Sequence, residues 1–334
     1  MKKLLCVSLS VMMILSFAAC GGKKDQSGET LQLGLGVYAE VSKASDADAD
    51  ANGQGKVTIN VAAVTIDTKG KIVACEIDTL DATVAYTGEG KAIANDSFAT
   101  KYELGDAYNM VAYGGATKEW YEQADAFESV VCGKTLEEVK ALVAGEGKGT
   151  DEVIKAGCTI TVTEFVKAVE NAYAGAKVVG VTAKDTIKLT TYTEQSCKDA
   201  TEEKDGQNQL ETTVLAVAVD GNDKVVAAAS DCVQVKFSFD ATGASTYDLT
   251  GLVLSKKQQG SSYGMSAYGT DLNGDGVVKE WDVQASTFED VCRGVKISEF
   301  DSLLGENGYG NAELQTAGCT MAIDGFVKAA GKLK

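Results

Sequence analysis

Two long stretches of this chain are copies of one another, so a fold that serves the first has to serve the second. Lys118-Glu119-Trp120 recurs as Lys279-Glu280-Trp281, Phe127-Glu128 as Phe288-Glu289, and Cys158-Thr159 as Cys319-Thr320, all offset by 161 residues. Tyr113 and Tyr268 are offset by 155, which places a six-residue insertion in the second copy, inside "TDLNGDG". Upstream, "VTINVAAVTIDTKGKIVACEIDTLDATV" from Val57 parallels "LETTVLAVAVDGNDKVVAAASDCVQVKF" from Leu210, offset by 153. Both tryptophans of the protein fall at one repeat position.

Each copy reads in the same order. Two β-rich segments flank a turn at 67–70 or 220–223, the signature of a hairpin. Another extended segment precedes each hairpin, followed by an acidic loop, "KASDADADANGQG" or "CKDATEEKDGQNQ", that reads as a solvated run. A helix is expected over 135–143, with Thr135 and Glu138 in capping-box register. A terminal helix follows, with Val162, Phe165, Val166, Val169 and Tyr173 on one apolar face and Thr161 and Glu164 as a second capping box. Ile323, Phe326, Val327 and Ala330 make the corresponding face in the second copy. The expected fold is α+β: two tandem repeats, at 31–175 and 176–334, each an antiparallel sheet with one or two packed helices.

The N-terminus, "MKKLLCVSLSVMMILSFAAC", has Lys2 and Lys3, an apolar stretch over 4–19 and small residues before Cys20. This is the layout of a secretory signal, too short and wrongly flanked for a membrane span. Its "FAAC" ending resembles the lipobox of bacterial lipoproteins, which are cleaved before the Cys and diacylated on its sulfur. The resemblance implies a signal peptide at 1–19, a lipidated Cys20 and a tether at 20–30, with the chain anchored to the outer face of the cell membrane. Loss of the two signal lysines takes the net charge from −17 to −19. So acidic a surface, with no basic stripe, argues against nucleic acid.

The chain has no histidine, which removes Ser-His-Asp triads, His-zinc sites and His-ligated haem. Cys75, Cys132, Cys158, Cys197, Cys232, Cys292 and Cys319 remain beyond the lipidated residue, an odd number with no Cys-x-x-Cys spacing.

The string Ala-Gly-Cys-Thr, at 156–159 and 317–320, precedes the terminal helix of each copy. Unpaired N–H groups at a helix start favour anions. Gly157 and Gly318 would allow close approach of a ligand, while Thr159 and Thr320 offer hydroxyls at the same place. The plainer reading is a turn whose Cys158 or Cys319 fills a core gap.

The stretch "DEVIKAGCTITVTEFVKAVENAYAGA" resembles the end of FMN-binding domains of the flavinylated type, in which Ser-Gly-Ala-Thr precedes an Ala- and Val-rich helix and the Thr carries FMN through a phosphoester. This chain has Ala156 in place of the Ser and Cys158 in place of the Ala. The lipobox, tether and tandem copies also look like the two-domain lipoproteins of Gram-positive bacteria that carry electrons outside the cell. The resemblance covers about residues 31–175 and 177–334. It implies covalent FMN on Thr159 and Thr320, a flavin transferase as partner, a membrane dehydrogenase or quinol as donor, and an extracellular electron acceptor. The Asp often seen upstream corresponds to Asp151, with Glu313 nearby in the second copy. Tyr113, Tyr268, Trp120 and Trp281 are candidates to stack on the ring, or else aromatic anchors between sheet and helix.

The insertion offers a separate signal. Asp271, Asn273, Asp275, Val277 and Asp282 stand at positions 1, 3, 5, 7 and 12 of a calcium-type loop, with Gly276 at position 6 and Lys279 at position 9. "NGDG" is also a strong hairpin turn. The leading functional expectation is a membrane-anchored electron carrier, and the competing one is a non-redox surface lipoprotein acting as a tandem binding or adhesion module. A hydrolase would have to work through carboxylates, and nothing singles out two of the 48 acids.

Overall fold

The computed structural model describes residues 29–333 apart from 250–252, 270, 272, 273 and 275. The signal peptide, Cys20 and most of the tether lie outside them. The chain is α+β, built on two antiparallel sheets. The first contains β1 (Thr30–Ser45), β2 (Gly53–Ile66), β3 (Ile72–Tyr86), β4 (Ala92–Ile93) and β5 (Lys177–Thr182), in the order β4-β3-β2-β1-β5. The second contains β6 (Thr186–Lys198), β7 (Gly206–Val219) and β8 (Val225–Phe239), in the order β6-β7-β8. The short strand β5, at the start of the second repeat, pairs with Thr30–Leu33 of β1 and so belongs to the first sheet.

Both hairpins form where the turn residues put them. The Asp67 carboxylate accepts from the N–H of Lys69 and Lys71, and Gly70 turns with φ 76°. Asp220 accepts likewise from Asn222 and Lys224. A short acceptor side chain that satisfies the turn's own backbone is what favours Asp at such a position.

Helices cover the outer face of each sheet. In the first copy they are α1 (Lys101–Leu104), α2 (Met110–Gly114), α3 (Trp120–Val131), α4 (Leu136–Lys140), α5 (Asp151–Ala156) and α6 (Thr163–Ala174). In the second they are α7 (Lys256–Gln259), α8 (Met265–Tyr268), α9 (Trp281–Val291), α10 (Ala312–Ala317) and α11 (Asp324–Gly331). The Thr135–Glu138 capping box is present, although α4 is shorter than the expected helix. The Thr161–Glu164 box is not. Helix α6 begins at Thr163, Val162 is its cap residue, and Thr161 is drawn into a bridge with Lys148 instead. Val162 N–H donates to Gly147 O at 2.8 Å, so backbone outside the helix takes the place of the expected side-chain cap.

The strands are buried on both faces. Ala62, Val64 and Ile66 of β2 meet the helices of their own copy, while Val57, Ile59 and Val61 turn inward onto Leu210, Val214 and Val233 of the other sheet. The period-2 alternation of a strand sorts these two sets. The result is four layers, helices–sheet–sheet–helices, with the copies joined through their sheets.

The junction is self-complementary, in the manner of a two-fold dimer. Ala47 N–H donates to Gly243 O at 2.8 Å, and the equivalent Ala200 N–H donates to Gly90 O at 2.7 Å. Tyr86 and Phe239, also equivalent, stack on each other with centroids 4.2 Å apart and planes 8° from parallel. Glycine is required beneath both rings, because a Cβ on Gly53 or Gly206 would strike the Tyr86 or Phe239 ring.

Candidate functional site

The buried stripe of α3 is Trp120, Gln123, Ala124, Phe127 and Val131, so a glutamine stands where helical spacing calls for an apolar residue. Gln123 is 1% exposed, and so is its counterpart Gln284 on α9. Both amides are fully engaged. Gln123 Oε1 accepts from Thr159 N–H at 2.9 Å and Thr159 Oγ1 at 3.0 Å. Its Nε2 donates to Lys118 O at 3.0 Å and Met110 Sδ at 3.2 Å. In the second copy Gln284 Oε1 accepts from Thr320 N–H at 2.7 Å and Oγ1 at 3.2 Å. There Nε2 donates to Lys279 O at 2.8 Å and Met265 Sδ at 3.4 Å.

The Ala-Gly-Cys-Thr strings are held in the opposite sense to the one expected. Each closes the helix before it rather than opening the helix after it. Gly157 sits at φ 113° as the residue after α5, with its N–H on Ile154 O and the Cys158 N–H on Val153 O. Gly318 at φ 99° ends α10 in the same way, with the Cys319 N–H on Leu314 O. This paired 5→2 and 6→1 pattern is a Schellman closure, which needs a left-handed residue and selects glycine. The backbone N–H groups of these strings are therefore consumed, and no helix N-terminus faces a ligand there.

Lys118 and Lys279 complete the arrangement. Each lies across the glycine of its copy, so that a Cβ on Gly157 or Gly318 would meet the ammonium and stand 3.1 Å from Cε. Among the described residues neither lysine has a carboxylate within ion-pair distance. Cys158 and Cys319 are completely buried, and burial pushes both thiols up to about 11, so they stay protonated and serve as packing groups.

The remaining candidates divide by depth. Trp120 and Trp281 are core residues. Trp120 meets Phe165 edge-on at 5.7 Å, and the ammonium of Lys101 lies 5.7 Å from its ring centre. Trp281 meets Phe326 at 6.2 Å with the rings tilted 39°, and the ammonium of Lys256 lies 5.5 Å from its ring centre. Tyr113 and Tyr268 are both 89% exposed. Tyr113 stands one turn along α2 from Met110, and the Glu119 carboxylate fastens α2 by accepting from the N–H groups of Met110 and Val111 at 2.8 and 3.1 Å. The KEW string therefore works as a unit: Lys covers the glycine, Glu caps α3 and docks α2, and Trp anchors the helix to the core. Asp151 and Glu313 lie in the first turns of α5 and α10.

Asn273 and Asp275 of the calcium-type loop lie outside the described residues. Asp271 accepts from Gly274 N–H at 2.8 Å and Gly276 N–H at 2.9 Å, and Asp282 is in the first turn of α9. Among the described residues no group of three or more acids or cysteines is arranged to hold a metal ion.

The glutamines and methionines were not singled out in the sequence. Their signal was present, since Gln123 and Gln284 share the 161 offset and Met110 and Met265 the 155 offset. Comparison with protein-family models, with characterised proteins and with solved structures gives no match.

Proposed function

We propose that this protein is a membrane-anchored, extracytoplasmic electron carrier that holds FMN covalently through Thr159 and Thr320. The observation that carries the reading is the duplicated Thr–Gln–Lys constellation, kept atom for atom in two copies whose other positions have largely diverged. It offers a fixed hydroxyl two residues from a glycine covered by an ammonium that, among the described residues, has no carboxylate within ion-pair distance, the pairing a phosphoester needs. Isoalloxazine would supply the redox chemistry by itself, so the chain has only to attach, orient and shield it.

The residues fit that task. Thr159 is exposed and its hydroxyl is held in place by Gln123. Tyr113 and Val111, 89% and 43% exposed, give α2 an accessible aromatic and apolar surface on the helix whose Met110 sulfur accepts from Gln123. Thr320 is only 9% exposed, so the second copy presents its hydroxyl less openly. The first copy is thus expected to load more readily than the second. Lipidation of Cys20 would hold both copies near a membrane dehydrogenase or quinol.

Coexpression with a flavin transferase tests the proposal. The purified protein should be yellow and carry up to one FMN per copy by intact mass, and Thr159→Val together with Thr320→Val should remove both adducts. A wild-type protein of unmodified mass would overturn it.

A further inference from the structure

We infer that Gln123 and Gln284 are the positioning residues that present the threonine hydroxyls for modification, and that Lys118 and Lys279 receive the phosphate as it is transferred and hold it afterwards. This rests on the flavin reading above and extends it to residues outside the Ala-Gly-Cys-Thr strings.

The orientation of the Gln123 amide is set by its partners. The Thr159 backbone N–H can only donate, so the Gln123 atom facing it must be the carbonyl oxygen. That choice agrees with the other end, where Nε2 meets two acceptors, Lys118 O and Met110 Sδ. A flipped amide would set donor against donor at Thr159 and acceptor against acceptor at Lys118. With Oε1 fixed, the Thr159 hydroxyl has to point its hydrogen at Gln123, and its lone pairs are turned away from the helix. Gln284 imposes the same rotor on Thr320.

A nucleophilic oxygen whose lone pairs face outward is the form in which a hydroxyl can be phosphorylated. In that reaction the Oγ–P bond forms as the phosphoanhydride bond of a flavin dinucleotide breaks. The nucleoside monophosphate leaves with the bonding pair, and the hydroxyl proton, swung away from Gln123 Oε1 as the Oγ–P bond forms, passes to a base of the transferase. Gln123 keeps its bond to the Thr159 N–H throughout, so the attachment point does not move.

The lysine answers the charge that the reaction leaves behind. Gly157 and Thr159 are two residues apart, within about 7 Å along the chain, and the Lys118 ammonium rests on that glycine. The protein carries 48 acidic side chains against 31 basic ones. Among the described residues neither Lys118 nor Lys279 has a carboxylate within ion-pair distance, and each extends over the glycine of its own copy, which leaves both ammonium groups open to an added phosphate. Any side chain on Gly157 or Gly318 would displace it, so the left-handed glycine both closes the helix and admits the ammonium. The Gln123 Nε2 bond to Lys118 O fixes the backbone from which that ammonium extends.

The test uses the full chain with Thr320→Val, so that only the first site is read, coexpressed with a flavin transferase and followed by intact mass over time. Lys118→Met is expected to slow adduct formation about 10-fold or more, the loss of one charge-assisted contact. Lys118→Arg should restore it, and the melting temperatures of all three proteins should agree. Gln123→Glu, which still accepts from both Thr159 groups but gives up the bonds to Lys118 O and Met110 Sδ, should also load slowly, and near-UV circular dichroism together with its melting temperature must show that it is folded under the loading conditions. If Lys118→Met and Gln123→Glu load at the parent rate, the inference fails and the flavin reading stands. If the Thr320→Val protein never gains an adduct at Thr159, and Thr159→Val never gains one at Thr320, both fall together.

Discussion

Replacing Glu76 by glutamine is expected to stabilise the protein at alkaline pH and to leave it unchanged in acid. Glu76, on β3, belongs to a group of carboxylates with Asp78, Asp125 and Glu128 in the first copy. Burial, and after it the nearby Asp125, pushes Glu76 up to about 7 from 4.5. Burial and Glu76 together raise Glu128 well above its ordinary range, although it accepts from Ile77 N–H at 2.7 Å. The second copy relieves the same crowding. Ala229 stands at the position of Glu76, Ser286 at that of Asp125, and Lys257, at the position of Tyr102, pairs with Glu289.

Below about pH 4.5 both folded and unfolded chains hold the Glu76 proton, and the residue carries no penalty. As pH rises toward 7 the unfolded chain releases that proton while the folded chain retains it, so stability is lost through this window and stays lost above it. The difference between 7 and 4.5 corresponds to about 3.4 kcal/mol at full effect. Partial exposure of Glu76 and its interaction with Glu128 reduce the expected gain at pH 8 to about 1–3 kcal/mol, or roughly 2–8 °C in melting temperature. Thermal unfolding followed by far-UV circular dichroism, at pH 8 and at pH 3.5, compares the variant with wild type. Among the described residues Glu76 makes no hydrogen bond that the amide would break. A variant no more stable than wild type at pH 8, or equally shifted at both pH values, would refute the reasoning.

Gly157→Ala should cost about 1–3 kcal/mol in urea unfolding, since φ 113° is strained for alanine and the methyl meets the Lys118 ammonium. Phe239→Ala should destabilise by about 3–5 kcal/mol and lower a single shared transition, because the ring lies between the copies; two separated transitions would show that the copies unfold independently. With maleimide under native conditions, Cys197, the exposed thiol, should react well before Cys158, Cys292 and Cys319, all completely buried, and peptide mapping reads the order. Loading by a limiting amount of flavin transferase should place the first adduct on Thr159 rather than Thr320, as tandem mass spectrometry of the tryptic peptides will show.

The strands and hairpins were legible because their determinants are local. Asp at 67 and 220 satisfies its own turn, and β-branched residues alternate on either side. The pairing of the two sheets was not legible, because "VTINVAAVTI" is apolar on both faces and names no partner for either. The start of α6 was misplaced for an instructive reason. Thr161 and Glu164 have the spacing of a capping box, but Thr161 bridges to Lys148, a contact set by the loop at 145–149 rather than by the helix. The glycine four residues earlier carried the stronger signal, that of a helix ending. Gln123 was hidden by its neighbours. On an otherwise apolar stripe it counts against amphipathic regularity, and only its acceptor role toward Thr159 explains its place.

The reciprocal hydrogen bonds from Ala47 to Gly243 and from Ala200 to Gly90 can form only when both sheets are present. A chain emerging from its N-terminus can close β1, β2 and β3 and cover their outer face with helices while the second copy is still unmade. The inward side chains Val57, Ile59 and Val61 then stay wet until Leu210, Val214 and Val233 arrive. Joining them means closing loops of well over a hundred residues, a slow step that leaves apolar strand surface open to strangers.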